Sequence, residues 1–163
     1  MLVINAVGFS DSGKTYLLEA LASHYSNKGM VVAAVKDIHG EDFLPDVEGK
    51  DTWRLAKAGA NPVVGRGPND TIMRWTQPMP LLEILEKIST DVVLVEGFKQ
   101  EHFPRIVCAH DASQLELLVD ADTYCITGII SEEMEEYHGV PVISIQRDLP
   151  RIIELAESSS TRY

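Results

Sequence analysis

The chain has 163 residues, of which 45% are hydrophobic, and its 25 acidic and 14 basic side chains give a formal net charge of −11. The length predicts one globular domain over residues 1–157 and a frayed tail at 158–163. The acidic excess argues against nucleic acid or an anionic membrane as a partner, since both attract basic surfaces. Two cysteines are too few for a disulfide framework. With neither a signal-peptide pattern nor a membrane-length apolar run, we expect a cytoplasmic protein.

Apolar, β-branched runs alternate with helical patterns along the chain. Strands are predicted at 2–7, 30–36, 62–65, 91–96, 105–109, 124–130 and 141–145, and helices at 14–27, 51–58, 80–88 and 149–158. Thr71–Thr76 lies between two turn-rich segments and is predicted to be a short strand or a hairpin arm. This alternation predicts a three-layer α/β fold with a mostly parallel central sheet and helices on both faces.

The segment Gly8-Phe9-Ser10-Asp11-Ser12-Gly13-Lys14-Thr15 matches the Walker A pattern G-x-x-x-x-G-K-[ST], between a predicted strand and a predicted helix. Backbone N–H groups of such a loop, together with the helix N-terminus, bind phosphates. Lys14 is expected to contact the β- and γ-phosphates, Thr15 to ligate Mg²⁺, and the Asp11 carboxylate to point outward. The predicted nucleotide-binding residues of the loop are Gly8, Ser10, Asp11, Ser12, Gly13, Lys14 and Thr15.

A second candidate element of the nucleotide site follows the pattern of a Walker B strand. Residues 91–97 form an apolar run with Glu96 at its carboxyl end. Ligands of open α/β sheets bind at that end of the strands, where a carboxylate holds Mg²⁺ directly or through water. Glu96 is therefore predicted, with Lys14, to be a catalytic residue and, with Thr15, a metal ligand. Asp91 begins the strand and is expected to be solvated at the opposite edge.

Three further polar residues are candidates for the nucleotide site. Lys36 ends the second predicted strand and could meet either phosphate oxygens or an acidic neighbour. His39 follows it and could contact substrate, metal or water. Arg54 lies one turn into the helix predicted to begin at Asp51, facing either solvent or a bound anion.

Other local patterns leave the nucleotide base undecided. The loop interior, residues 9–12, carries no lysine that could reach a neighbouring active site, and the chain lacks a convincing guanine-reading N-K-x-D tetrad. Asp148, after the last predicted strand, is a candidate for a base contact. The motifs themselves therefore do not distinguish GTP from ATP. The spacing of Cys108 and His110 is better explained by a buried strand cysteine than by a metal site.

Four segments in order resemble the molybdopterin-guanine dinucleotide biosynthesis protein B (MobB) family. They are the loop ending Gly13-Lys14-Thr15, Lys36 with His39, the run from Gly49-Lys50-Asp51-Thr52-Trp53-Arg54 to Ala58-Gly59-Ala60, and Leu94-Val95-Glu96-Gly97-Phe98-Lys99. The resemblance implies a P-loop NTPase fold, guanine nucleotide with Mg²⁺, a homodimer, and a role beside the nucleotidyltransferase that attaches GMP to molybdopterin. Family members often carry a histidine-rich run after the lysine, where this chain has only His39.

The leading hypothesis is a GTP-binding accessory protein with weak GTPase activity in molybdenum cofactor biosynthesis. A small-molecule kinase is one alternative, although an arginine-rich lid is missing, since Arg66, Arg74 and Arg105 are scattered. A metal-insertion GTPase is the other, and it would need a cluster of cysteine and histidine that the sequence does not contain.

Overall fold

The computed structural model describes residues 1–40 and 46–163. These residues fall into two compact units, the first comprising Met1–Asp37 with Leu85–Tyr163 and the second Ile38–Ile84. The expectation of one domain over residues 1–157 stays a prediction.

The elements follow in chain order. They are β1 (Leu2–Gly8), α1 (Lys14–Asn27), β2 (Val32–Lys36), α2 (Asp51–Lys57), β3 (Val63–Arg66), β4 (Thr71–Arg74), α3 (Leu81–Glu86), β5 (Val92–Glu96), β6 (Arg105–Cys108), α4 (Ala112–Leu118), β7 (Thr123–Thr127), a 3₁₀ turn (Ile129–Glu132), β8 (Glu136–Tyr137), β9 (Val140–Pro141), α5 (Ile145–Ser159) and β10 (Thr161–Arg162). No helix in the described ranges is both long and apolar enough to cross a bilayer.

The first unit is built on a parallel sheet with strand order β2-β5-β1-β6-β7. Every residue of β1, β5 and β6 is buried, as expected for parallel strands covered on both faces. Strand β10 adds to β1 in the antiparallel direction, where Leu2 pairs with Arg162. This mostly parallel sheet confirms the predicted fold class.

Alternating side chains of the strands pack against helices on opposite faces. On one face, Ile4 and Leu94 join a core that includes Leu21 of α1 and Ile152 of α5. On the other face, Val7 belongs to a second core with residues of β6, α4, β7 and the 3₁₀ turn. The helices therefore cover both faces of the sheet, as the alternating pattern predicted.

The carboxyl-terminal third differs most from the prediction. Residues 141–145 were expected to form a strand, but β9 ends at Pro141 and α5 begins at Ile145. Only an isolated parallel bridge between Ile126 and Val142 extends the sheet there. Helix α4 was not among the helices predicted from the sequence. Its start is capped by Asp111, whose carboxylate accepts from the Gln114 N–H at 3.1 Å.

The segment 158–163, which the sequence predicts to fray, contains the end of α5 and the short strand β10. Helix α5 continues to Ser159, and β10 pairs with the start of β1. The Met1 ammonium donates to the Tyr163 carbonyl at 2.6 Å, and the Tyr163 N–H donates back to the Met1 carbonyl at 2.9 Å. Because β10 pairs with β1, backbone groups of this segment form hydrogen bonds. The polar composition of residues 158–163 gave no sign of this pairing.

The second unit is small and contains α2 and a hairpin. Strands β3 and β4 pair antiparallel, with Val63 opposite Arg74, which confirms the hairpin-arm interpretation of Thr71–Thr76. The Asp46 carboxylate accepts from the Thr52 hydroxyl at 3.0 Å and pairs with Arg74 at 3.3 Å. A cavity of about 280 Å³ lies between these polar side chains and the hairpin.

Candidate functional site

The glycine-rich loop joins the buried carboxyl end of β1 to the first turn of α1. A Cβ atom on Gly8 would lie 2.4 Å from the Cys108 carbonyl oxygen of the neighbouring strand, so a larger residue does not fit. Gly13 has a φ of 93°, in the left-handed region that favours glycine. Gly8 is thus required because the neighbouring strand approaches it closely. Gly13 is required because of its left-handed backbone conformation.

The floor of the loop is formed by the segment that follows β7. A Cβ on Gly128 would meet the Ala109 carbonyl oxygen at 2.5 Å and the Ser12 carbonyl oxygen at 2.8 Å. Ser12 itself is 1% exposed, and its hydroxyl has no hydrogen-bond partner among the described residues. A buried hydroxyl without a partner carries a cost that a polar ligand in the loop would relieve.

Lys14 lies across its own loop. Its ammonium group donates to the Phe9 carbonyl at 2.5 Å. Phe9, Ser10 and Asp11 are exposed. The exposure of Asp11 agrees with the expectation that its carboxylate points outward, and its φ of 59° lies in the left-handed region.

Glu96 is the buried acid of the site. It ends β5, in register with Ala6 of β1 and Lys36 of β2. The Thr15 hydroxyl donates to one of its carboxylate oxygens at 3.3 Å, and the Lys36 ammonium lies 2.8 Å from the other. Of the two partners considered for Lys36, the structure therefore provides the acidic neighbour.

The oxygen atoms beside the loop suit a hard divalent cation. Thr15 Oγ1 and Glu96 Oε2 offer a hydroxyl and a carboxylate side by side, and Mg²⁺ prefers one or two such protein ligands together with water and phosphate oxygens. No group of three or more histidine, cysteine, aspartate or glutamate side chains in the described part of the chain forms a candidate metal cluster. The donor set therefore fits Mg²⁺ held jointly with a phosphate.

An apolar cavity of about 260 Å³ adjoins these oxygens. Residues of α1, β2 and β5 line it, and its polar and charged lining residues are Thr15, Glu19, Lys36 and Glu96. The candidate metal ligands therefore lie beside a space that belongs to the first unit.

Two minor candidates have structural roles. Cys108 is fully buried in β6, and burial raises the pKa of its thiol to about 12, so the thiolate that a metal would need is strongly disfavoured. Asp148 lies at a non-helical position within α5, and its carboxylate accepts from the Arg151 N–H at 3.2 Å. It caps the second part of that helix, as helix-starting acids commonly do.

His39 and Arg54 belong to the second unit. Arg54 lies 3.7 Å from Asp51, one turn earlier on α2, and its side chain is 71% exposed. Because these residues lie outside the unit that carries the loop, their assignment to the nucleotide site stays a prediction.

Sequence reasoning assigned no role to Lys99, which lies beside the loop, or to Arg105, which holds the segment of Lys99. Lys99 Nζ lies 4.3 Å from the centroid of the Phe9 ring. Arg105 is 4% exposed and donates to the carbonyls of Lys99 and Glu101 at 3.1 and 2.7 Å. Lys99 follows the Walker B acid by three residues, and this spacing is the signal that could have singled it out.

A parallel sheet with a glycine-rich loop between β1 and α1, and a buried acid at the end of the adjacent β5, defines the P-loop class of α/β proteins. The sequence model of the family described as molybdopterin guanine dinucleotide synthesis protein B matches residues 3–132. The chain belongs to this family, as its four sequence segments indicated.

Relatives agree with this assignment. The chain is 33% identical over 145 residues to the probable molybdopterin-guanine dinucleotide biosynthesis adapter protein of Bacillus subtilis, covering 86% of this chain and 83% of that protein. It is also 33% identical over 129 residues to the adapter protein of Haemophilus influenzae, covering 76% and 71% of the two chains. The crystal structure of Bacillus subtilis MobB superposes with a TM-score of 0.79 at 28% identity and covers all of both chains.

Gly128→Ala tests the close approach of β7 to the loop. We expect it to lower the free energy of unfolding by about 2 kcal/mol more than Gly139→Ala, because overpacking adds roughly 1–3 kcal/mol to the backbone strain. Gly139 is a matched control, since its φ of 83° is also left-handed but nothing lies within 4 Å of its Cβ position. Urea unfolding followed by circular dichroism measures both, and equal losses would contradict the crowding.

Proposed function

We propose that this protein is a GTP-binding adapter with weak GTPase activity in molybdenum cofactor biosynthesis. The contact between Thr15 and Glu96 at 3.3 Å carries the proposal, since it brings the last residue of the loop motif to a buried carboxylate. In this assignment, backbone N–H groups of residues 8–15 bind the phosphates and Lys14 turns from the Phe9 carbonyl toward them. Bound Mg²⁺ would be held by Thr15 and Glu96 and would neutralise charge on the β- and γ-phosphates.

Weak hydrolysis is expected because the acidic side chain beside the loop already has other partners. Glu96, the buried carboxylate of the site, accepts from Thr15 and pairs with Lys36. It is therefore poorly placed to activate water as a general base, for which a carboxylate needs free access to the proton it takes. Catalysis would rest on positioning and on charge neutralisation by Lys14 and the loop amides, which suits slow turnover.

The partner in this proposal is the nucleotidyltransferase that attaches GMP to molybdopterin. Two relatives from Bacillus subtilis and Haemophilus influenzae are named adapters of molybdopterin-guanine dinucleotide biosynthesis, and an adapter acts through another protein. A cytoplasmic location, with neither nucleic acid nor membrane as a partner, belongs to the same proposal and agrees with the net charge of −11.

Nucleotide preference is the first test. With Mg²⁺ present, we expect GTP to bind about tenfold or more tightly than ATP, a difference of about 1.4 kcal/mol.

The Lys14→Ala variant is the second test. It should weaken GTP binding by about 1.5–3 kcal/mol, the usual range for a charge-assisted hydrogen bond. Displacement of a fluorescent GTP analogue measures both effects. Equal competition by ATP would contradict the guanine preference and favour a kinase, and unchanged affinity in the variant would remove Lys14 from the site.

Glu96→Gln tests the metal assignment. An amide is a poor ligand for a hard cation, so the variant should bind GTP but require a higher Mg²⁺ concentration for half-maximal binding and turnover. Glu116→Gln, on the exposed side of α4, is the matched control. Calorimetric titrations at several Mg²⁺ concentrations provide the comparison. A wild-type Mg²⁺ dependence in the Glu96 variant would show that this carboxylate is not a ligand.

The homodimer is proposed to form through the hairpin of the second unit. Val64, Ile72 and Met73 are 51%, 57% and 52% exposed on its two strands. A two-stranded hairpin is marginal by itself, and its outer edges offer unpaired backbone groups to a second copy. Val64 pairs with Met73 and Gly65 with Ile72, so Val64 and Met73 lie on one face of the hairpin and Ile72 on the other. Two copies that paired edge to edge would place both faces beside the same contact, as twofold symmetry requires.

Ile72→Asp tests this interface. We expect the wild-type protein to be a dimer at micromolar concentration and the variant to be monomeric, because two buried carboxylates would be desolvated at the interface. Leu117→Asp, at a 75% exposed position of α4, should leave the dimer intact. Light scattering after size-exclusion chromatography gives the masses. A monomeric wild-type protein, or a dimer that survives Ile72→Asp, would refute the hairpin interface.

A further inference from the structure

Lys99 lies on the loop that follows the buried acid of β5. Its ammonium group is 4.3 Å from the centroid of the Phe9 ring, within the range of a cation–π contact. Phe9 follows Gly8 in the glycine-rich loop (residues 8–15, here also called the phosphate loop) and is 38% exposed. Lys99 is thus held against the outer side of the phosphate loop by an exposed ring.

Lys14 and Lys99 approach the same residue of the loop. Lys14 donates to the carbonyl of Phe9 while Lys99 lies over its ring. Burial, and next the positive charge of Lys14, lower the pKa of the Lys99 ammonium from its ordinary value. Two neighbouring ammonium groups repel each other, and an anion bound between them would relieve this repulsion.

The backbone of Lys99 is fixed by a buried arginine. The Arg105 guanidinium donates to the Lys99 carbonyl at 3.1 Å and to the Glu101 carbonyl at 2.7 Å. It also pairs with Asp120 and Asp122 at 3.5 and 3.4 Å, just before β7. The segment is therefore tied to the sheet at its backbone, while the flexible lysine side chain stays able to change direction.

The start of the same segment is a tight turn. Gly97 and Phe98 both have left-handed backbone conformations, with φ of 93° and 51°. The Gly97 N–H donates to the Ala6 carbonyl at 3.0 Å, which ties the turn to the carboxyl end of β1. The turn therefore brings Lys99 back to the edge of the sheet at which the phosphate loop begins.

We propose that Lys99 is a second phosphate-binding lysine, which leaves the Phe9 ring and contacts the terminal phosphate of the bound nucleoside triphosphate. This rests on the proposed nucleotide site. We assign the terminal phosphate because Glu96, three residues earlier, would hold Mg²⁺, which would neutralise charge on the β- and γ-phosphates. The loop interior, residues 9–12, contains no lysine of its own, and Lys99 would supply that charge from a different strand.

Lys99→Met tests the proposal because it keeps the length of the side chain and removes the charge. Calorimetry with Mg²⁺ would compare a non-hydrolysable GTP analogue, the corresponding ATP analogue and GDP. One of the two triphosphate analogues will bind the wild type more tightly, and we expect the variant to bind that analogue about tenfold or more weakly than the wild type does. The affinity for GDP should change by less than about threefold. Lys99→Arg should recover most of the loss.

Lys28→Met is the charge-matched control. Lys28 follows the last residue of α1, whose 14 residues separate it from the phosphate loop by about 20 Å. Its substitution should leave all three affinities unchanged. Because the Lys99 side chain is partly exposed, its variant should melt within a few degrees of the wild type, which differential scanning fluorimetry checks.

The outcomes separate this proposal from the proposed function. Wild-type triphosphate affinity in Lys99→Met would overturn the role of Lys99 and leave the nucleotide site intact. Equal losses for the triphosphate and GDP would overturn the terminal-phosphate contact. A wild-type protein that binds neither triphosphate analogue would overturn the nucleotide site and Lys99 together. A preference for the ATP analogue with the same loss in Lys99→Met would support Lys99 while refuting the guanine assignment.

Discussion

Parallel pairing of β1 with β5 is the constraint on which the candidate site depends. Because Ala6 lies opposite Glu96 in this register, the loop that leaves β1 and the acid that ends β5 meet at one edge of the sheet. A shift by one residue would move the carboxylate to the other face and separate it from Thr15. The complete burial of both strands holds the register, since their apolar side chains pack on both faces.

The strand on the other side of β1 shapes the loop itself. The Cys108 carbonyl at the end of β6 leaves no room for a side chain at Gly8, and Gly128 after β7 lets the chain pass beneath Ser12. Arg105 at the start of β6 fixes the segment that carries Lys99. The groups that surround the glycine-rich loop are thus positioned by four neighbouring strands.

The two units differ in how their apolar residues are used. The first unit buries most of its large apolar side chains in two cores, one on each face of the sheet. In the second unit, Leu55 of α2 and Ile72 and Met73 of the hairpin are all more than half exposed. Exposed apolar residues in this number are consistent with the association proposed for the hairpin. Nucleotide chemistry and association are therefore proposed for different parts of the chain.

The sequence by itself determined the three-layer fold, the phosphate loop and the buried acid, because these follow from local periodicity and from a motif of eight adjacent residues. It also indicated the family through four separated segments. Only the tertiary structure paired Lys36 with Glu96, brought Lys99 to Phe9 and paired β10 with β1. These contacts join residues far apart in the chain, and strand register and turn geometry, which local patterns do not encode, decide which of them meet.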